Sequence, residues 1–540
     1  MPTHRASTRP PRGPATATVQ TDPDLVGGLL EDAAHYPGGR AAGVLYPATE
    51  TDVALALQRA AHVLPIGAQS SLTGAATPMG DLLLATARRT AILEVGPDTV
   101  RVEPGLPLTA LNAGLAAIGR SYPPVPTWEG ASVGGVVATN AAGAATFKYG
   151  STRGWVQALT VVLACGEVLD LARGEVQADP GGFFEIETAS RGVVRVPVPT
   201  YRMPDVPKCS AGYFAAPGMD LVDLFIGSEG TLGVITEVTL RTLTVRPKVC
   251  VTLVPFRDEG RGIALAGRLR DESLRTRRDG TPNGIDVSAI EHLDRRSLEL
   301  VREDGSDRRF GVPLPPDAVL ALLIQLELPA DMTAARAFDE IGGARASDAP
   351  DTPLVRFCRL LDEAGALDEA EVAVPDDETR AKQLFALREA VPAAVNARVG
   401  AAKRTVDPRI EKTAADMVVP FDRFAEMLAI YREGFERRGL DFAIWGHISD
   451  GNVHPNVIPR SFADVEAGKA AILEFGRAVA RLGGCPLAEH GVGRNPVKQA
   501  LLRDFYGAEG VAQMRAVKAA LDPGWTLAPG VIFPAPAEPL

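Results

Sequence analysis

Two histidines flank a Ser-Asp-Gly-Asn segment in GHISDGNVHPN, residues 446–456, and a glutamate and a third histidine follow in PLAEHGVGR, residues 486–494. On a straight strand side chains alternate, so His447 and His454, seven residues apart, would face opposite ways. Ser449-Asp450-Gly451-Asn452 is strong turn chemistry, with glycine supplying a positive φ and Asp and Asn able to bond their own backbone. If the chain folds back there, the two imidazoles face each other, and Asn456 shares the side of His454. Glu489 and His490 sit in a glycine-flanked loop. Two histidines and a carboxylate, with a position left open, form the ligand set of a catalytic divalent ion. Three of the chain's seven histidines gather in these two loops.

A second kind of chemistry lies some three hundred residues earlier. In PIGAQSSLTGAA (65–76), Gly67 and Gly74 let the backbone approach a ligand closely. Gln69, Ser70, Ser71 and Thr73 add donors suited to phosphate oxygens. The segment lacks G-x-G-x-x-G and G-K-[ST]. ASVGGVVATNAAGAA (131–145) is stripped of side-chain bulk, which weakens any element unless something must lie against the backbone. GSEGTLGVITEVTLR (227–241) is a glycine turn followed by an alternating strand. Three such loops within one region point to a dinucleotide cofactor.

The elements that must position these loops divide the 540 residues by character. Residues 1–35 read as a disordered arm: the first twenty carry three Arg and four Pro and no apolar run. Residues 36–245 alternate short apolar runs with Gly and Pro. They include an amphipathic helix over 51–63 capped by Thr51, another over 108–119, and a polar, Pro- and Gly-rich stretch, 170–215, expected as an insertion or mobile loop. From 246 to 484, β-type runs alternate with charged helices, the pattern of an α+β domain with helices on one face of a sheet. Residues 485–540 are helical and then proline-rich, a C-terminal segment completing the active site. A net charge of -11 argues against nucleic acid as partner. Five cysteines without a C-x-x-C pair give no disulfide framework and no metal cluster. The longest apolar runs fall short of a membrane span, so a cytoplasmic protein, at most peripheral at a membrane, is expected.

The three glycine segments, in this order, resemble the FAD-binding domain of the vanillyl-alcohol oxidase and p-cresol methylhydroxylase (PCMH) type. G-S-E-G-T-L-G-x-I-T is the most diagnostic piece. The resemblance implies an α+β fold: a two-subdomain FAD-binding domain, an α+β (ferredoxin-like) substrate or cap domain, and a C-terminal helical segment returning to the flavin. It carries FAD contacts onto Ile66, Gly67, Ala68, Gln69, Ser70, Ser71, Thr73, Gly74, Ser132, Gly135, Thr139, Gly143, Glu229 and Ile235. The first loop has no histidine for covalent attachment, so the flavin is expected to be non-covalent. Gln69 stands where the relatives carry glycine, which implies a phosphate contact from its side chain.

G-H-x-x-D-G-N-x-H-x-N followed by E-H-G-x-G resembles the D-2-hydroxyacid dehydrogenases: the D-lactate, D-2-hydroxyglutarate and glycolate-oxidising flavoproteins. With the FAD segments, this likeness covers residues 40–535. It implies zinc or manganese on His447, His454 and Glu489, His490 as catalytic base, and substrate contacts from Arg388, Lys412 and Asn456. Pro392 stands where the D-2-hydroxyglutarate enzymes have a threonine, and Ala528 where relatives have an asparagine before Pro-Gly, so that a contact at the flavin edge is lost or replaced. The implied reaction is hydride transfer from a small D-2-hydroxy acid to FAD. An external cytochrome, quinone or electron-transfer flavoprotein would take the electrons, and a homodimer is one possible assembly. A metal hydrolase would leave the FAD loops unexplained. An alkylglycerone-phosphate-synthase-like FAD transferase would not need the His/Glu set.

Overall fold

Short apolar runs of the first 245 residues pair into three sheets. The computed structural model describes residues 3–535 other than 124, 125 and 127. Those within 1–143, 150–244 and 487–540 form one unit, and 144–149 with 245–486 form a second.

In the first unit, Arg40–Leu45, Met79–Ala85 and Val63–Ile66 make a parallel sheet with Met79–Ala85 in the middle. The central strand is buried through its last five residues, as a strand covered on both faces must be. The helix Glu50–Arg59 packs here through Val53, Ala54 and Leu57. Its cap is Thr49 rather than Thr51: Thr49 Oγ1 accepts from Asp52 N while the Asp52 carboxylate accepts from Thr49 N, a reciprocal box that Thr51 cannot form. A five-stranded antiparallel sheet runs Ile92–Val95, Thr99–Val102, Val234–Arg241, Val156–Val162, Val168–Ala172.

The third sheet corrects two expectations. Arg5–Ser7, from the arm expected to be disordered, lies parallel to Phe183–Thr188, which pairs with Gly192–Pro197. The stretch expected to be mobile is therefore strand-forming, and each segment supplies the other's partner. Charge completes the attachment: Arg9 bridges Glu50 at 2.6 Å and Asp170 at 2.5 Å. Low local hydropathy hid these strands, and the pairing of Arg5–Ser7 with Phe183–Thr188 joins residues far apart in sequence.

The second unit is built on one antiparallel sheet with the order Glu371–Ala373, Lys248–Phe256, Leu320–Leu328, Val287–Asp294, Phe442–His447, Asn452–Val457, Thr413–Ala414; Met417–Val418 also pairs with Asn452–Val457. Helices cover both faces rather than one. Leu384, Leu387 and Val391 of Glu378–Thr405 share a core with Val251, Leu253 and Leu293. On the opposite face His292 meets Phe424 edge-on, and Gly262 of Glu259–Asp279 sits against Leu320 and Phe256. Lys248–Phe256 and Leu320–Leu328 are buried almost continuously rather than alternately, which demands cover on both sides. No helix among the described residues is long and apolar enough to cross a membrane.

Candidate active site

A cavity in the first unit is bounded by the three glycine segments. Ile66, Gly67, Ala68, Gln69, Ser70, Ser71, Ser132, Gly135, Thr139, Glu229 and Ile235 line it, as do Glu489 and His490. The expected contacts Thr73, Gly74 and Gly143 do not; they brace it. Thr73 O accepts from Arg494 N at 3.0 Å, Gly74 at φ +75° packs under the Tyr36 ring, and Gly143 O accepts from Lys208 Nζ at 3.3 Å.

The walls are backbone, for a steric reason. A Cβ on Gly67 would stand 2.1 Å from Ser132 Oγ, the hydroxyl that caps Val133–Ala138 by accepting from Gly135 N. Such a cradle admits a flat or phosphorylated ligand close to main-chain N–H groups, which is what a flavin dinucleotide requires. Gln69 departs from expectation. Its side-chain amide donates to Leu29 O at 3.0 Å and Ala76 O at 2.8 Å, so both amide hydrogens are spent closing the loop rather than on a phosphate. Its backbone, at φ +50°, adopts the left-handed conformation that glycine reaches most readily.

Glu229 closes another wall at φ +51°, its carboxylate accepting from Val492 N at 2.8 Å and Gly493 N at 2.9 Å. Burial pushes this carboxyl up to about 7 despite those bonds. Glu489 forms an ion pair with Lys208, whose side chain is wholly buried, and Ser210 Oγ donates to the Glu489 carbonyl at 3.2 Å. Lys208 and Ser210, from the stretch expected to be a loop, thus fasten the Glu489-His490 segment to the cavity wall. A lone lysine in a Pro-rich polar run gave no sign of this. Ala528 is buried at φ +44° with its N–H on Val63 O, and it does not line the cavity.

The second unit carries His447 and His454. Phe442–His447 and Asn452–Val457 are antiparallel, with Trp445 opposite His454 and His447 opposite Asn452. The two histidines are therefore diagonal neighbours on one face, and their ring centroids are 5.5 Å apart. The short 3-10 turn Ile448–Asp450 and Gly451 at φ +81° reverse the chain. Ser449 Oγ accepts from Ile290 N at 3.1 Å and Ser449 O from Arg270 Nε at 2.5 Å, which anchors the turn. Asn452 Nδ2 donates to Asp416 Oδ1 at 3.1 Å and to Met417 O at 2.9 Å, which ties the turn to the neighbouring strand segment. Asn456 occupies the same face, its amide donating to His454 O at 2.8 Å while its buried Oδ1 has no partner among the described residues.

Arg388 projects from Glu378–Thr405 and is buried. Pro392, four residues on within that helix, has no N–H for the Arg388 carbonyl. Lys412 is exposed, just before Thr413–Ala414. The residue that sequence reasoning missed is Glu291. Its Oε1 lies 3.1 Å from His447 Nδ1 and its Oε2 accepts from Arg388 Nη2 at 3.1 Å. Burial pushes the Glu291 carboxyl up, but Arg388 and His447 more than offset this and hold it near about 2. Its signal was a carboxylate inside the β-type run VSAIEHL, residues 287–293.

The chain matches an FAD binding domain over residues 41–172 and the C-terminal domain of FAD linked oxidases over 271–532. It is 30% identical to a D-2-hydroxyglutarate dehydrogenase of Xanthomonas citri pv. viticola over 88% of this chain and 84% of that protein. It is 27% identical to a D-lactate dehydrogenase of Anaerostipes hadrus, covering 91% and 89%. With a glycolate oxidase subunit of Bacillus subtilis it shares 28% over 87% and 83%. Among solved structures, a 4-ethylphenol oxidase from Gulosibacter chungangensis shares the fold, with a TM-score of 0.62 at 16% identity over 96% of this chain and 94% of that one. An alkyldihydroxyacetonephosphate synthase does so with a TM-score of 0.55 at 14% identity, over 90% and 75%. The matched domain indicates FAD as the cofactor. The chain belongs to the FAD-linked oxidases of the PCMH type, and is an FAD-linked oxidoreductase of the D-lactate, glycolate and D-2-hydroxyglutarate dehydrogenase kind.

Proposed function

We propose that the protein oxidises a small D-2-hydroxy acid, D-lactate-like or glycolate-like, to the 2-oxo acid, with a divalent zinc or manganese ion and non-covalent FAD. The observation that carries this reading is His490, which lines the flavin cavity beside Glu489. In the proposed reaction His490 takes the proton of the substrate hydroxyl, and neutral imidazole suits that task near neutral pH. Arg388 offers a fork to the carboxylate and so fixes which face of the α-carbon is presented, with Lys412 and Asn456 as further contacts. The ligand set carried by the two motifs is His447 and His454 of the second unit with Glu489 of the first. Imidazole nitrogens and a carboxylate match zinc or manganese in donor chemistry. Bound there, such an ion would stabilise the alkoxide, and FAD would accept the hydride.

Pro392 offers no hydroxyl four residues after Arg388, which favours a lactate-like or glycolate-like acid over D-2-hydroxyglutarate. Reoxidation falls to an external cytochrome, quinone or electron-transfer flavoprotein. A dye-reduction screen of metal-replete protein against D- and L-lactate, glycolate and D-2-hydroxyglutarate tests the reading. Reduction by D-lactate or glycolate is expected; no reduction with any of the four would refute it.

A further inference from the structure

Glu291 and His447 face each other across adjacent strands, in register, on the sheet face covered by the helix that carries Arg388. An ionised carboxylate only accepts hydrogen bonds. The contact between Glu291 Oε1 and His447 Nδ1 therefore requires the proton on Nδ1, and in the neutral imidazole the lone pair then sits on Nε2, the nitrogen that can ligate a cation. The other oxygen holds Arg388 Nη2, while Glu389 accepts from Nη1 at 2.7 Å. Arg388 Nε is buried with no partner among the described residues, a donor left for a guest. One carboxylate thus bridges a candidate cation ligand and a candidate anion-binding side chain.

We propose that Glu291 is the positioning residue of this site: it sets which nitrogen of His447 faces a bound cation and how the Arg388 guanidinium is turned toward a substrate carboxylate. This rests on the function proposed above. The rival explanation is that Glu291 is only the counter-charge that keeps Arg388 buried, since stranding a buried cation is costly. The two differ in what happens to His447 when Arg388 is already gone.

The test compares wild type, Arg388→Met and Glu291→Met/Arg388→Met, each flavin-loaded and stripped of metal. Zinc binding is measured by titration calorimetry, and pyruvate binding by its perturbation of the flavin spectrum. The double variant removes both charges together, so it folds without an unpaired buried ion, and thermal melting verifies this. Arg388→Met should lose pyruvate binding and keep zinc affinity. The double variant should bind zinc at least about tenfold more weakly than Arg388→Met, the loss typical when a carboxylate behind a histidine ligand is removed. Equal zinc affinity in the two would overturn the proposal. If wild type binds no zinc, the metal part of the proposed function fails instead. Glu291 is then judged by ¹⁵N imidazole shifts: loss of the His447 Nδ1–H tautomer in the double variant, but not in Arg388→Met, supports it, and an unchanged tautomer refutes it.

Discussion

Gly67 and Ser132 meet in the wall of the flavin cradle, and a single methyl on Gly67 reaches the hydroxyl that caps Val133–Ala138. Gly67→Ala should cut the flavin content of purified protein at least tenfold, read from visible absorbance per chain. Because the added Cβ would lie 3.4 Å from Ser132 Cβ, an ordinary contact, Gly67→Ala/Ser132→Ala should recover part of the loss. Glu229 makes a prediction about pH. Its carboxyl is raised from the ordinary 4.5 to about 7 in the folded chain. A raised carboxyl stabilises the fold fully below the unfolded value, and the contribution fades as pH climbs through about 7. The span corresponds to roughly 3 kcal/mol at about 1.36 kcal/mol per pH unit. Flavin-free protein should therefore lose stability between pH 5 and 8 in urea unfolding, and Glu229→Gln should flatten that dependence; parallel curves would contradict the assignment.

The turn between Phe442–His447 and Asn452–Val457 is the element on which the histidine pair depends. Gly451 sits at φ +81°, and a Cβ there would lie 2.1 Å from Val419 O. Gly451→Ala should destabilise the second unit by about 2–4 kcal/mol, combining left-handed strain with overpacking. It should abolish hydroxy-acid oxidation while flavin stays bound, because the cradle belongs to the first unit; a colourless variant would count against that separation. This turn was legible in the sequence because its signal is local: four residues state both the reversal and the glycine. The glycine loops were legible for the same reason. Glu291, Lys208 and the pairing of Arg5–Ser7 with Phe183–Thr188 were not, since each acquires meaning only through a partner on a distant segment. The two-sided helix cover of the second sheet was partly readable from the largely apolar, non-alternating runs in Lys248–Phe256 and Leu320–Leu328.

In the whole molecule, the flavin cavity belongs to the unit holding residues 65–76, 131–143 and 227–235, and Arg388, His447 and His454 belong to the other. The Glu489-His490 segment, which follows the second unit in sequence, returns to the first unit's cavity, held there by Lys208 and Ser210. The central claim is that a D-2-hydroxy acid reduces this flavin with the help of a divalent ion. Its most direct test is anaerobic mixing of metal-replete protein with D-lactate, L-lactate or glycolate while the flavin's visible absorbance is followed, repeated after chelation. Rapid bleaching by D-lactate or glycolate is expected, little by L-lactate, and loss of bleaching on chelation with recovery when zinc or manganese is restored. A flavin that stays oxidised with every acid, or that bleaches equally well without metal, would contradict it.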